Sequence, residues 1–199
     1  GIFTLIFTIV AILGVATEFN LNATTTIFLS KDIENPQNRQ TMGEILFTFA
    51  LLTAFAFVIT LAIVHLGTSS ISRAFINYFG LIWTLVIFTG LLNISFGVAR
   101  ACKKMNYEAM AKAIKGVSTL ALICISVYVL ARVSISSVMV ILIAAQLLAF
   151  STIIGLLSRS NPVNIKSLTI PALGVLIRKL KFSRIRYILA FSFLMSALS

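Results

Sequence analysis

Residues 81–99, LIWTLVIFTGLLNISFGVA, carry no charge, and directly behind them stand Arg100, Lys103, Lys104, Lys112 and Lys115. An apolar run of about 19 residues, at about 1.5 Å per helical residue, reaches across a hydrocarbon core of roughly 30 Å. The stretch predicts a transmembrane helix. The basic block behind it marks one side of the membrane, since Lys and Arg accumulate in cytoplasmic loops.

The chain around it repeats this pattern. Mean hydropathy is +1.07, with 59% hydrophobic and 11% charged residues, outside the range of a soluble domain, so an all-α polytopic transmembrane bundle is expected. The net charge of +11 invites a nucleic-acid partner. The basic residues fall between apolar runs, however, where the positive-inside bias places them, and no nucleic acid is expected. Cys102 in the basic block and Cys124 inside an apolar run lie at different depths and read as reduced thiols. His65 stands alone, and no His, Cys, Asp or Glu group has ligand spacing. No metal, no cofactor and no enzymatic activity are expected.

In chain order, residues 2–17 read as a span ending at Glu18 and Asn20, and 22–43 as a polar connector with its turn at Asn35, Pro36, Gln37 and Asn38. Residues 45–64 form the next span, 68–73 a Ser-rich loop and 75–99 the span described above. An amphipathic stretch from Lys104 puts Lys104, Glu108, Lys112 and Lys115 on one face, with Met110, Ile114 and Val117 on another, and leads into a span over 116–131. After a tight turn at 132–137 comes a span over 138–157. Residues 159–186 form a second basic connector, in which Leu173, Leu176, Ile177 and Leu180 predict an interfacial helix. Apolar sequence resumes at 187–199 as the start of another span. Alternation puts connectors with 2, 5 and 7 Lys plus Arg on one side and only Arg73 and Arg132 on the other. That imbalance assigns the basic side to the cytoplasm. With Gly1 opening directly into membrane-type sequence and a short apolar end, the chain reads as a fragment of a longer polytopic protein.

Polar residues at membrane depth are the functional candidates. Asn93, with Thr89 one turn before it, and Gln146 either bond across helices or line a wet cavity. Glu18 is a helix-end charge or an ion-coupling carboxylate, and Arg39 and Arg100 at span ends could fork onto a phosphate or meet headgroups.

Three stretches carry a family likeness: GIFTLIFTIVAILGVATEFNLNATTTIFLSK, GVARACKKMNYEAMAKAIKGV, and the basic run from 176 to 187 leading into a new apolar segment. The chain resembles the polysaccharide-biosynthesis flippases of the multidrug/oligosaccharidyl-lipid/polysaccharide exporter superfamily. Asn20 stands where the family commonly has a glycine, and Ile27 about where many members carry an arginine. The resemblance implies that residues 1–158 supply helices two to six of the first of two six-helix lobes, that 159–186 link the lobes, and that 187–199 open the second.

The expected function is therefore translocation of a lipid-linked oligosaccharide by alternating access. Thr89, Asn93 and Gln146 would wall the cavity, and Arg39 and Arg100 would stand at its cytoplasmic mouth. The partners would be the lipid-linked glycan, membrane lipids and other glycan-assembly membrane proteins. A cation-coupled multidrug exporter ranks lower, because the span interiors as delimited above hold no carboxylate. A non-transporting scaffold of a glycan-assembly complex is the alternative from another class.

Overall fold

The computed structural model describes residues 2–32, 38–66, 70–128, 134–160 and 182–197. They form seven α-helices: α1 Ile2–Glu18, α2 Leu21–Asp32, α3 Asn38–Leu66, α4 Ser70–Ala101, α5 Met105–Tyr128, α6 Ile135–Ser160 and α7 Phe182–Ala197. No strand occurs among the described residues. The all-α bundle is as expected. Five stretches are long and apolar enough to cross a membrane: Ile6–Ser30, Gln40–Ala62, Ile76–Ala101, Met105–Tyr128 and Ile135–Arg159. The chain is a multi-pass membrane protein.

The expected connector at 22–43 is instead mostly helix, and of the expected Ser-rich loop at 68–73 the described residues, from Ser70, already belong to α4. The chain bends at Phe19 and Asn20, with φ of 34° and 56°, then continues as α2, so that α1 and α2 together make one broken crossing. The residues that made 22–43 look like a loop are polar but locally satisfied. Thr24, Thr25 and Thr26 hydroxyls donate to the carbonyls of Asn20, Leu21 and Asn22 one turn back, so the segment buries its own donors. Asparagine tolerates the left-handed region better than most residues, which fits Asn20 to the bend.

In the basic block the expected helix is present, but as part of a crossing. The α4 helix runs through Ala101, the chain reverses over Cys102, Lys103 and Lys104 with Lys103 at φ 56°, and α5 begins at once. Lys104 N bonds Ala99 O at 2.8 Å and Lys103 N bonds Arg100 O at 2.9 Å, closing the helix end. Lys112 and Lys115 thus belong to a continuous spanning helix rather than to a connector.

Asn35, Pro36 and Gln37 of the predicted turn, residues 132 and 133 of the tight turn expected at 132–137, and the interfacial helix at Leu173, Leu176, Ile177 and Leu180 lie outside the described residues, whereas Asn38 opens α3 and residues 135–137 open α6. The last described helix starts at Phe182, five residues before the expected boundary, and packs on α2 and α3. Phe28 meets Tyr187 and Phe191 edge-on, with ring centroids 5.8 and 5.6 Å apart.

The central helix is α4, against which α1, α2, α3, α5 and α6 all pack. Leu92, Ile94, Phe96, Val98 and Ala99 are buried along it. Association between helices in lipid relies on close packing rather than on expulsion of water, so small residues govern approach. A methyl group on Gly97 would stand 2.6 Å from Asn22 O and 2.9 Å from Thr25 Cβ, which shows how tightly α2 crosses α4. Gly90 accommodates the Phe49 ring of α3 in the same way. Ala50 and Ala54, also small residues at helical spacing, are exposed instead.

Candidate functional site

Four polar groupings lie within or at the ends of this bundle, and none could be assembled from the sequence alone. The first joins α1 to α4. Asn93 Nδ2 donates to Glu18 Oε1 at 2.6 Å, and both residues are half-buried. Because α1 continues into α2, Glu18 is midway along the Ile6–Ser30 crossing and not at its end. Lys115, half-buried near the middle of the Met105–Tyr128 crossing, lies within electrostatic reach of Glu18. Three helices thus each carry a carboxylate, an amide or an ammonium inside a candidate crossing, where such a group is expensive to hold without a purpose or a partner.

The second grouping joins α4 to α6. Gln146 Nε2 donates to Thr89 Oγ1 at 2.8 Å, and Thr89 Oγ1 lies 3.1 Å from Gln146 Oε1 while also donating to Leu85 O at 2.7 Å. Gln146 is buried. The expectation grouped Thr89, Asn93 and Gln146. The structure brings Thr89 to Gln146 but directs Asn93 to Glu18, because α4 is surrounded and successive turns meet different neighbours.

The third grouping is at the α4–α5 turn. Arg100 offers its fork to Glu108, Nε to Oε2 and Nη2 to Oε1, both at 2.6 Å. Lys112 Nζ reaches the same carboxylate at 2.6 Å and stands 5.3 Å from the Phe96 ring centroid. Two cations on one carboxylate satisfy both of its oxygens and leave this end of the bundle net positive.

The fourth ties α3 to α7. Glu44 is fully buried, takes a 3.1 Å bond from Gln40 Nε2 and faces Arg184 Nη1 at 3.8 Å. Between α2 and α7, Thr24 and Ser192 share a buried 2.8 Å hydroxyl bond. Arg39 falls in the first turn of α3, and its side chain lies outside the described residues.

Sequence reasoning placed Glu108 and Lys112 as an i, i+4 pair, which the structure forms at 2.6 Å, and it missed the role of Glu44 and Arg184. For Glu44 the i, i+4 spacing from Gln40 was the available signal. The reach of Arg100 across a turn to Glu108 has no periodic signature. The inference that the span interiors hold no carboxylate is overturned by Glu18, midway along Ile6–Ser30, while Glu44 and Glu108 stand near the starts of their candidate crossings. Among the described residues no group of three His, Cys, Asp or Glu side chains could hold a metal ion. No protein-family model, no curated protein and no solved structure matches this chain.

Proposed function

We propose that this chain forms part of a membrane transporter that carries a lipid-linked oligosaccharide or polysaccharide precursor across the cytoplasmic membrane by alternating access. The observation that supports this most is the Glu18–Asn93 bond at 2.6 Å, with Glu18 midway along the Ile6–Ser30 crossing and Lys115 within its electrostatic reach. The family likeness of the three stretches supplies the glycan. In this reading Glu18 and Asn93 face the transport path, the Thr89–Gln146 pair holds α4 to α6 beside it, and the basic α4–α5 turn stands at the cytoplasmic mouth. Arg100 meets a headgroup phosphate by exchanging one carboxylate oxygen of Glu108 for a phosphate oxygen. Arg39 stands at the same end.

The test is reconstitution of the full-length protein in proteoliposomes with a fluorescent lipid-linked oligosaccharide. E18Q and N93A are expected to lower translocation about tenfold or more at equal protein incorporation. Wild-type rates in both would overturn the assignment.

Glu18 also favours a second reading, a cation-coupled exporter of small amphiphiles, for which a carboxylate at mid-membrane is the required element. Dye efflux driven by an imposed proton or sodium gradient, lost in E18Q and absent with the glycolipid, would select it. The cytoplasmic placement of the basic turn is tested by membrane-impermeant labelling of Cys102 in intact cells: labelling from outside contradicts it.

A further inference from the structure

We infer that α7 is a releasable clasp on the bundle, fastened to α3 through Arg184 and Glu44 at one end and to α2 through Ser192 and Thr24 further in. The inference rests on the transport reading, which needs one helix to part from its neighbours, and deepens it by naming the seam that parts.

The contacts run along most of the helix. Arg184 Nη1 faces Glu44 Oε2 at 3.8 Å, Tyr187 and Phe191 meet Phe28, Ser192 shares its 2.8 Å bond with Thr24, and Phe193 stacks on Phe19 with ring centroids 6.2 Å apart. Between the two polar fastenings Ile188 is fully buried in one cluster with Leu21, Ile45 and Phe49. At about 1.5 Å per residue, Arg184 and Ser192 stand about 12 Å apart along the helix. Alternation of the crossings sets the start of α3, and with it Glu44 and Arg184, at the same end of the bundle as the α4–α5 turn.

This seam is built unlike the close crossings on α4. Where α2 meets α4, Gly97 lets backbone approach backbone, and where α3 meets α4, Gly90 takes in the Phe49 ring. Helix α7 has no glycine, and its listed neighbours are reached by side chains, as hydroxyl, ion pair and ring edges. Interhelical hydrogen bonds in lipid contribute little net, because parted groups find other partners. Glu44 stands about one turn inside the start of the Gln40–Ala62 crossing. Separation there brings its carboxylate to water rather than to lipid, and Gln40, on the same helix, keeps its 3.1 Å bond to it. Tyr187, Phe193 and Leu194 remain exposed, so the seam covers only part of α7.

The experiment reads a distance between nitroxides at Ser183, exposed on α7, and Ser151, exposed on α6. It uses the full-length protein in nanodiscs, with Cys102 and Cys124 replaced by serine. Wild type is expected to show two distance populations, and E44Q and R184Q are each expected to raise the longer one about fivefold or more. A single distance, the same in wild type and both variants, overturns the inference. The double variant T24C/S192C replaces hydroxyls 2.8 Å apart by thiols within bonding reach, and serves as a lock. In its oxidised form it is expected to translocate the fluorescent lipid-linked oligosaccharide about tenfold or more slowly than after reduction. Equal rates before and after reduction overturn the clasp, and this pair decides the matter if E44Q and R184Q do not fold. Two populations that respond to E44Q, in a protein whose wild type moves no glycolipid, would support the clasp and count against the glycan-transport reading.

Discussion

Asn93 and Glu18, 75 residues apart in sequence, meet through a 2.6 Å bond from the amide Nδ2 to the carboxylate Oε1. The amide belongs to the central helix and the carboxylate to the last turn before the break in the first crossing. A bond to a charged acceptor exceeds a neutral one, yet intramembrane hydrogen bonds measured by double-mutant cycles are modest, because the unfolded chain in lipid also finds partners. A cycle of E18Q and N93A in reversible unfolding from bilayers is expected to return a coupling of about 1–2 kcal/mol. Additive single effects would mean that the two side chains do not act on each other.

Gly97 is expected to be intolerant of any side chain. Its added methyl would meet backbone at Asn22 O, 2.6 Å away, and backbone cannot swing aside as a ring does. Gly97→Ala should cost about 1–3 kcal/mol, and Gly90→Ala less, because the Phe49 ring can rotate. Gly14→Ala and Gly116→Ala, where nothing lies within 4 Å, should be neutral or stabilising by up to about 1 kcal/mol. Thermal unfolding in detergent ranks the four, and equal losses at Gly97 and Gly116 would contradict the packing.

At the bend, Asn20 holds φ at 56°, a region open to glycine and costly for β-branched residues. Asn20→Gly should leave stability within a few tenths of a kcal/mol, whereas Asn20→Val should lose about 1–2 kcal/mol. A Val variant as stable as wild type would show that the crossing is not broken there.

Cys102 lies in the turn between two crossings, half-buried. Burial disfavours its thiolate and raises its pKa, and the positive charge of Lys104 offsets this only in part. Since the thiolate is the nucleophile, maleimide labelling in detergent should be slower at neutral pH than for an exposed cysteine. It should keep accelerating to a pH above the inflection of a free thiol. A rate that levels off below that inflection would reverse the sign of the environment.

The apolar cores of the crossings were legible in the sequence because they are long and uncharged, as at 81–99. What was not legible is where polar residues belong to the helices. Thr24, Thr25 and Thr26 read as connector, yet their hydroxyls return to carbonyls one turn back. Lys112 reads as part of a basic connector, yet it falls within a candidate crossing, where Glu108 neutralises it and the Phe96 ring lies 5.3 Å from its ammonium. Hydropathy scores each residue alone, and these are tolerated through partners that only the fold supplies. Asn93, Gln146 and Glu18 were identifiable as polar groups near or within spans, but which helix each would face was not, because α4 has neighbours on all sides.

The most direct test of the account is the depth of position 115. A nitroxide placed there in the full-length protein in bilayers, read by relaxation from oxygen against a water-soluble nickel chelate, should report a position near the bilayer centre, with a label at Lys103 as the aqueous reference. Chelate-dominated relaxation at 115 matching that at 103 would return the residue to a loop, and the mid-membrane assembly of Glu18, Asn93 and Lys115 would fall with it.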